Sequence, residues 1–192
     1  MQNQKGCFII VSGPSGAGKT RFINQSLKEF PILSNTISFT TRSPRPGEKS
    51  GEFYYFISKK EFEEKKQNKE LLEWALVHDE FYATSKGEVE RLWKAGKAII
   101  KDIDIQGFRS IKKKYLHCIG IFIFPPSLEE LQKRLLKRES IPKERLQLRL
   151  DTAVKEMAEA SLYDYKIIND DFDVAWIEFK KVIESEIKKQ QD

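Results

Sequence analysis

The eight residues Gly13-Pro14-Ser15-Gly16-Ala17-Gly18-Lys19-Thr20 constrain this chain more than any other stretch. A short apolar run, Cys7-Phe8-Ile9-Ile10-Val11, leads into them, and a helical pattern from Arg21 to Phe30 follows. Strand, glycine-rich turn and helix start, in that order, match the pattern G-x-x-x-x-G-K-[ST]. Glycines let the backbone curl until several N–H groups point at one anion. The helix start adds its unpaired donors and the positive end of its dipole. Lys19 would reach the outer phosphates of a nucleoside triphosphate, and the Thr20 hydroxyl would ligate Mg²⁺. The stretch therefore predicts an ATP-type site and leaves open what receives the phosphoryl group.

Elsewhere the sequence changes character twice. Pro31 stops the first helical pattern. Residues 35–57 are short β-prone pieces broken by Pro44, Pro46, Gly47 and Gly51, which read as a small antiparallel unit. Ser58-Lys59-Lys60-Glu61 predicts a capped helix to about Asn68; Leu71–Val77 and Glu80–Ala83 predict strands; Ser85-Lys86-Gly87-Glu88 caps a helix ending near Gly96. Ala98–Asp102 is then a buried-type strand, Ile105–Tyr115 a helix, and Cys118–Phe124 a second apolar strand ended by Pro125-Pro126. Ser127-Leu128-Glu129-Glu130 caps a helix with Leu128, Leu131 and Leu135 on one face. A break at 139–142 precedes a charged helix over about 143–162. Tyr165–Ile168 and an amphipathic helix from Phe172 to about Lys189 end the chain.

Strands alternating with helices imply a parallel sheet. The expected organisation is an α/β core (1–33, 97–125, 164–192) interrupted by a β-rich insertion (34–96) and a helical, arginine-rich one (126–163). Two insertions on one core suit an enzyme that closes over two substrates and excludes water.

Composition narrows the rest. No run of about 18 apolar residues exists to span a membrane, and the residues before the first strand lack the features of a secretion signal. Cys7 and Cys118 lie in apolar strands and predict two buried reduced thiols in a cytoplasmic protein; His78 and His117 are isolated and read as structural or surface residues. The net charge of +5 comes from lysines and arginines largely interleaved with glutamates. That pattern, without a nucleic-acid module, favours a basic cleft and solvated faces over nucleic-acid binding.

Phosphoryl transfer needs positioning and charge neutralisation more than covalent help. Three groups offer it. Arg42 and Arg45, three apart in the segment Thr40–Glu48, would grip one phosphate bidentately or are simply surface arginines in a loop. Asp102 and Asp104 end a core strand, where ligands of open α/β sheets bind; an acid there holds Mg²⁺, usually through water, or caps the next helix. Arg134, Arg138, Arg145 and Arg149 would supply arginine fingers or a solvated helix face.

Taken in order, Gly13–Thr20, Ser38-Phe39-Thr40-Thr41-Arg42-Ser43-Pro44-Arg45-Pro46-Gly47-Glu48, Gly51, Tyr54, Glu73-Trp74, Tyr82, Asp102-Ile103-Asp104-Ile105-Gln106-Gly107, Pro125-Pro126-Ser127 and Asn169-Asp170 resemble the guanylate kinases along essentially the whole chain. The resemblance implies ATP + GMP ⇌ ADP + GDP with Mg²⁺, on a P-loop nucleoside-monophosphate-kinase fold, in a monomer or homodimer with no nucleic-acid or membrane partner. It implies that Ser38, Arg42, Arg45, Tyr54 and Tyr82 hold the GMP phosphate, that Glu73 accepts from guanine N1 and the 2-amino group, and that Thr84 donates to O6. Asp104 would lie near the GMP side and Asp102 in the outer shell of the metal. Arg138 and Arg149, on a lid, would neutralise the transition state, while Asn169 and Asp170 would flank the adenine. A carboxylate suits guanine's two donors and repels the bare N1 of adenine, which gives the Glu73 role a chemical reason of its own.

This chain departs from the family pattern at Ala83 and Glu139, where glycine is usual, and at Lys101, in an otherwise apolar strand. None removes a catalytic group. A catalytically silent module that binds phosphopeptides at the GMP site is the alternative; such modules tend to have damaged P-loops, whereas Lys19 and Thr20 are intact.

Overall fold

A computed structural model describes residues 7–45, 47–77, 79–115, 118–138 and 142–191, without the side chains of 138, 190 and 191. The expectations placed on residues 1–6, Pro46, His78, His117, Glu139 and the Arg138 side chain fall outside that description.

In chain order, β1 (Phe8–Ser12) feeds the glycine-rich turn and α1 (Lys19–Glu29), and β2 (Leu33–Ser34) follows. A second unit comprises β3 (Ser38–Thr40), β4 (Tyr54–Phe56), α2 (Lys59–Gln67), β5 (Leu71–Val77), β6 (Glu80–Ser85) and α3 (Lys86–Lys94). The chain then returns through β7 (Ala98–Asp102), α4 (Ile105–Lys114) and β8 (Cys118–Phe124). A pair of helices, α5 (Leu128–Arg138) and α6 (Lys143–Ala158), precedes β9 (Tyr165–Ile168) and α7 (Phe172–Gln191).

The core sheet has the order β2-β7-β1-β8-β9, all parallel. Ile9 and Val11 face one layer with Phe22, Phe179 and Ile183; Phe8 and Ile10 face the other with Val89, Phe108 and Ile111. Strands covered on both faces read as unbroken apolar runs, which is why these strands were visible in the sequence. Phe8, Ile9, Ile10 and Val11 are all fully buried, each burial contributing about 2 kcal/mol. Cys7 and Cys118 are buried and not joined in a disulfide, as expected. Because later strands add to β1 on both sides, the strand order reverses there, and the crevice at its carboxyl end is the natural ligand site.

The second sheet, β4-β3-β6-β5, corrects one expectation. β3 and β4 pair in parallel, and only β6 runs antiparallel to its neighbours. Residues 41–53 are long enough for the crossover of a dozen or so residues that a parallel pair requires, where a hairpin would use a tight turn. Two helix readings also shift. α6 stops at Ala158 and tightens into a 3-10 turn at Ala160–Leu162, a common helix ending. On α5, Leu131 and Leu135 are buried against the glycine-rich turn, their methyls lying 3.1 and 3.3 Å from where a Gly16 Cβ would stand, while Leu128 in the first turn stays exposed. The box at Ser58 is complete; at Ser85 the hydroxyl accepts from the Glu88 N–H. Among the described residues no helix is long and apolar enough to cross a membrane.

Candidate functional site

The glycine-rich turn lies at the carboxyl end of β1. Gly18 is the N-cap of α1 with φ +98°, and a Cβ there would collide with the Asn169 amide. Only glycine serves both needs. Asn169, buried beyond β9, donates from Nδ2 to the Ala17 carbonyl at 2.7 Å, while its own N–H donates to Phe124 O at 2.8 Å. Lys19 Nζ donates to the carbonyls of Gly13 (2.6 Å) and Pro14 (3.1 Å), so its ammonium rests within the curl of the loop. Thr20, in the first turn of α1, is exposed.

Ser12, which no motif reading picked out, ties this loop to the next strand end: its buried hydroxyl donates to Ile103 O at 2.5 Å. Asp102 is paired in register with Val11. Asp104 caps α4 by accepting from the Gly107 N–H at 2.9 Å, and burial pushes its pKa up. Asp102 ends β7 half-buried.

The residues expected on the acceptor side gather in the second sheet. Register pairs Tyr54 of β4 with Ser38 of β3, Ser38 with Thr84 of β6, and Thr84 with Glu73 of β5. Four positions spread from 38 to 84 of the chain thus form one row across the sheet. Tyr82, two residues from Thr84 along β6, falls on the same face by the strand period, its ring 6.1 Å from that of Tyr54. Glu73 is 7% exposed; Oε1 accepts the Thr84 hydroxyl at 2.6 Å. Its Oε2 lies 2.5 Å from where a Gly107 Cβ would be, so α4 approaches the carboxylate through a bare backbone. Burial pushes the Glu73 pKa up to about 6 against the pull of the Thr84 bond.

Arg42 stands beside this row, its guanidinium 5.2 Å from the Tyr54 ring centre. Its fork is engaged by Glu48, at 2.7 and 3.0 Å, and Glu48 also accepts the Arg45 N–H at 2.7 Å. The Arg42 guanidinium holds the Glu48 carboxyl down at about 2. The Arg45 side chain is exposed. Burial pushes the Tyr54 pKa up, and the charge of Asp102 adds to the shift.

The helix pair contributes unequally. Arg149 is half-buried on α6, and Glu156, two turns along the same helix, feels the charges of both Lys19 and Asp104. Arg145 is exposed. Arg134 does not act as a mobile finger here: it donates to the carbonyls of Asn169 (3.0 Å) and Asp170 (3.4 Å) and bonds Glu130. Asp170 is otherwise exposed. Sequence reasoning gave no role to Ser12, Glu48, Gly107 or this Arg134 clamp. Glu48 was within reach, since an acid six residues past Arg42 in the same loop is a natural partner; Ser12 and Gly107 act through contacts no spacing announces.

Known proteins give this geometry a family. The model of the guanylate kinase family matches residues 5–186. Guanylate kinases of Bdellovibrio bacteriovorus and Rickettsia felis are each 44% identical to it, over 92% of this chain and 95% of the first relative, and over 96% of both for the second. The crystal structure of guanylate kinase from Anaplasma phagocytophilum superposes with a TM-score of 0.78 at 30% identity, covering 96% of this chain and 87% of that one.

Proposed function

The chain belongs to the guanylate kinase family and is a GMP phosphotransferase, and we propose that its own residues carry the reaction as follows. The triphosphate of ATP lies in the loop Gly13–Thr20, with Lys19 exchanging its loop carbonyls for the outer phosphates. Asn169 and Asp170 edge the adenine, held in place by the Arg134 clamp. GMP, and dGMP with it, lies over the row of the second sheet. Its phosphate is gripped by Arg42, Arg45, Ser38, Tyr54 and Tyr82, and its base by Thr84 and Glu73 beside Asp104.

The reaction is one in-line step. A phosphate oxygen of GMP forms the new bond to the γ-phosphorus as the bond to the β,γ-bridging oxygen breaks, and ADP leaves with that electron pair. Lys19, Arg42, Arg138 and Arg149 spread and neutralise the charge that develops. The transfer is direct, without a phosphoenzyme.

Thr20 and Asp102 fit a Mg²⁺ ion: both are hard oxygen donors, the hydroxyl in the first turn of α1, which the glycine-rich turn joins to β1, and the carboxylate at the end of β7, the strand paired with β1. Mg²⁺ ordinarily takes its remaining positions from phosphates and water. When bound, the ion neutralises and orients the β- and γ-phosphates.

The observation that carries the base assignment is Glu73. A buried carboxylate with one oxygen on Thr84 and the other over Gly107 is acceptor-only when ionised, which suits guanine's N1–H and amino group. The test is ADP release from ATP/Mg²⁺ with GMP, dGMP, AMP, CMP and UMP offered separately. Turnover with GMP and dGMP but not AMP is expected. No turnover with any, in a protein that still binds GMP, would overturn the reading in favour of a silent binding module. A cytoplasmic site of action belongs to the same proposal, since both substrates are cytoplasmic metabolites.

A further inference from the structure

Leu72 and Glu73 are neighbours on β5 and both are buried, at 3% and 7% exposure. A regular strand alternates its faces, and from Glu73 onward β5 does so: Trp74 and Leu76 are exposed and Ala75 is buried. By that period Leu72 belongs on the outer face with Trp74. It lies instead in the core cluster of Phe8, Val89, Ile103 and Phe108. The register explains the break. It passes from Leu71 opposite Ser85 to Glu73 opposite Thr84, so β5 advances two residues while β6 advances one. Leu72 is the extra residue of a β-bulge, a device that re-aims the side chains beside it. The bulge sends Leu72 into the core and leaves Glu73 level with Thr84, whose hydroxyl it accepts. One helix braces this bulge at two points. Lys114, the last residue of α4, donates from Nζ to the Leu72 carbonyl at 3.0 Å. Gly107, about two turns earlier on the same face of α4, sets bare backbone against the Glu73 carboxylate. Ile111, between them on that face, is fully buried.

We propose that Lys114 is a positioning residue for base selection: by capping the Leu72 carbonyl it holds the bulge, and with it the direction in which Glu73 meets guanine. The proposal rests on the reading of Glu73 given above. A slip of one residue at the bulge would turn Glu73 to the opposite face of the sheet. The ammonium supplies a charge-assisted bond in place of the ladder bond that a bulge gives up. Lys114 is exposed and lies at the opposite end of α4 from the cap residue Asp104, about 15 Å away along the helix. It therefore acts on GMP through the strand.

Two variants test the contact. Lys114→Met keeps the aliphatic stem and removes the donor, whereas Lys114→Arg keeps a donor of similar reach. The measurements are kcat and KM with GMP, AMP and ATP, with thermal melts to confirm folding. In Lys114→Met, KM for GMP should rise about three- to tenfold, the loss expected for one hydrogen bond from a charged donor. The preference for GMP over AMP should narrow by a similar factor, with kcat at saturating GMP and KM for ATP unmoved. Lys114→Arg should restore most of the lost affinity. Added to Glu73→Gln, Lys114→Met should cost less than about twofold more, because it has no carboxylate left to position. Unchanged KM for GMP in Lys114→Met, or equal increases for GMP and ATP, would overturn the proposal and leave Lys114 a structural contact. An arginine variant as impaired as the methionine one, or a full further loss in the double variant, would do the same. Glu73→Gln alone keeps the two readings apart. If it leaves KM for GMP unchanged, the Glu73 reading falls and the Lys114 proposal with it. If it raises KM while Lys114→Met does not, only the Lys114 proposal falls.

Discussion

The two substrate sites proposed for this enzyme are built on opposite plans. The proposed ATP side is eight consecutive residues whose backbone, curled over glycines at the end of β1, would do most of the holding. The acceptor side is a row of side chains, Tyr54, Ser38, Thr84 and Glu73, drawn from four strands and brought level by sheet register. A triphosphate offers the same oxygens whatever its base, so a generic backbone cradle suffices. Choosing one base among several needs donors and acceptors of fixed sense, which only side chains on a rigid frame supply. Chemistry on the first site thus depends on one charge added to a backbone, and on the second on many groups in concert.

The sharpest way to break that contrast is at Lys19. Lys19→Ala leaves the cradle intact and removes its charge, so kcat should fall by about a thousandfold or more while the melting curve barely moves. Near-normal turnover would mean that the loop backbone alone activates ATP.

Glu73→Gln comes next and works on the other plan. KM for GMP should rise by about 10- to 100-fold with KM for ATP unchanged, since an amide offers guanine one acceptor and a wrong-sense donor. The same variant should be more stable. Burial pushes the folded Glu73 carboxyl up to about 6, above the ordinary 4.5 of a glutamate, so the folded form binds the extra proton and stability declines as pH rises from 4.5 through 6. At neutral pH that amounts to about 2 kcal/mol. A higher melting temperature at pH 7, with the gain absent at pH 4, would show that the base-reading carboxylate is held at a cost to the fold. An unaltered preference for GMP over AMP would remove its role.

The contrast also explains what the sequence could disclose. A backbone cradle leaves a contiguous signature, so the loop was readable from residue types and spacing alone, as were β1, β7 and β8, whose burial on both faces writes itself as apolar runs. The row of the second sheet has no such signature. Residue chemistry left Arg42 and Arg45 as possible loop arginines, and family likeness, not spacing, singled out Ser38, Tyr54 and Thr84. The parallel pairing of β3 and β4 was missed because short strands do not state their direction, and a connection broken by prolines and glycines looks like a hairpin. Ser12 and Gly107 escaped because each matters through contacts that the fold creates, Ser12 with Ile103 O and Gly107 with Glu73.

Gly107→Ala probes that last contact. An added Cβ would lie 2.5 Å from both Glu73 Oε2 and Ile103 Cγ2, so either α4 or the carboxylate shifts. The expected result is a loss of about 1–3 kcal/mol of stability and a raised KM for GMP, with ATP use spared. Equal damage to KM for both nucleotides would mean that α4 supports the sites jointly and that the two plans are less separable than their construction suggests.

Glu48→Gln should have the smallest effect and is the finest test of the side-chain plan. Glu48 engages the Arg42 fork and the Arg45 N–H, so it pre-sets the arginine loop but also occupies groups that the GMP phosphate needs. These opposed contributions should leave kcat/KM for GMP within about threefold of wild type, because a part-exposed pair is worth little net energy. Acid stability is where it should register. The Arg42 guanidinium holds the folded Glu48 carboxyl down at about 2, below the ordinary 4.5 of a glutamate, so its stabilising contribution is present above 4.5 and lost as pH falls toward 2. Melting curves of Glu48→Gln should therefore lie below wild type at pH 7 and converge with it near pH 2. A uniform offset at all pH values would assign the effect to the amide's shape and not to the charge of the pair.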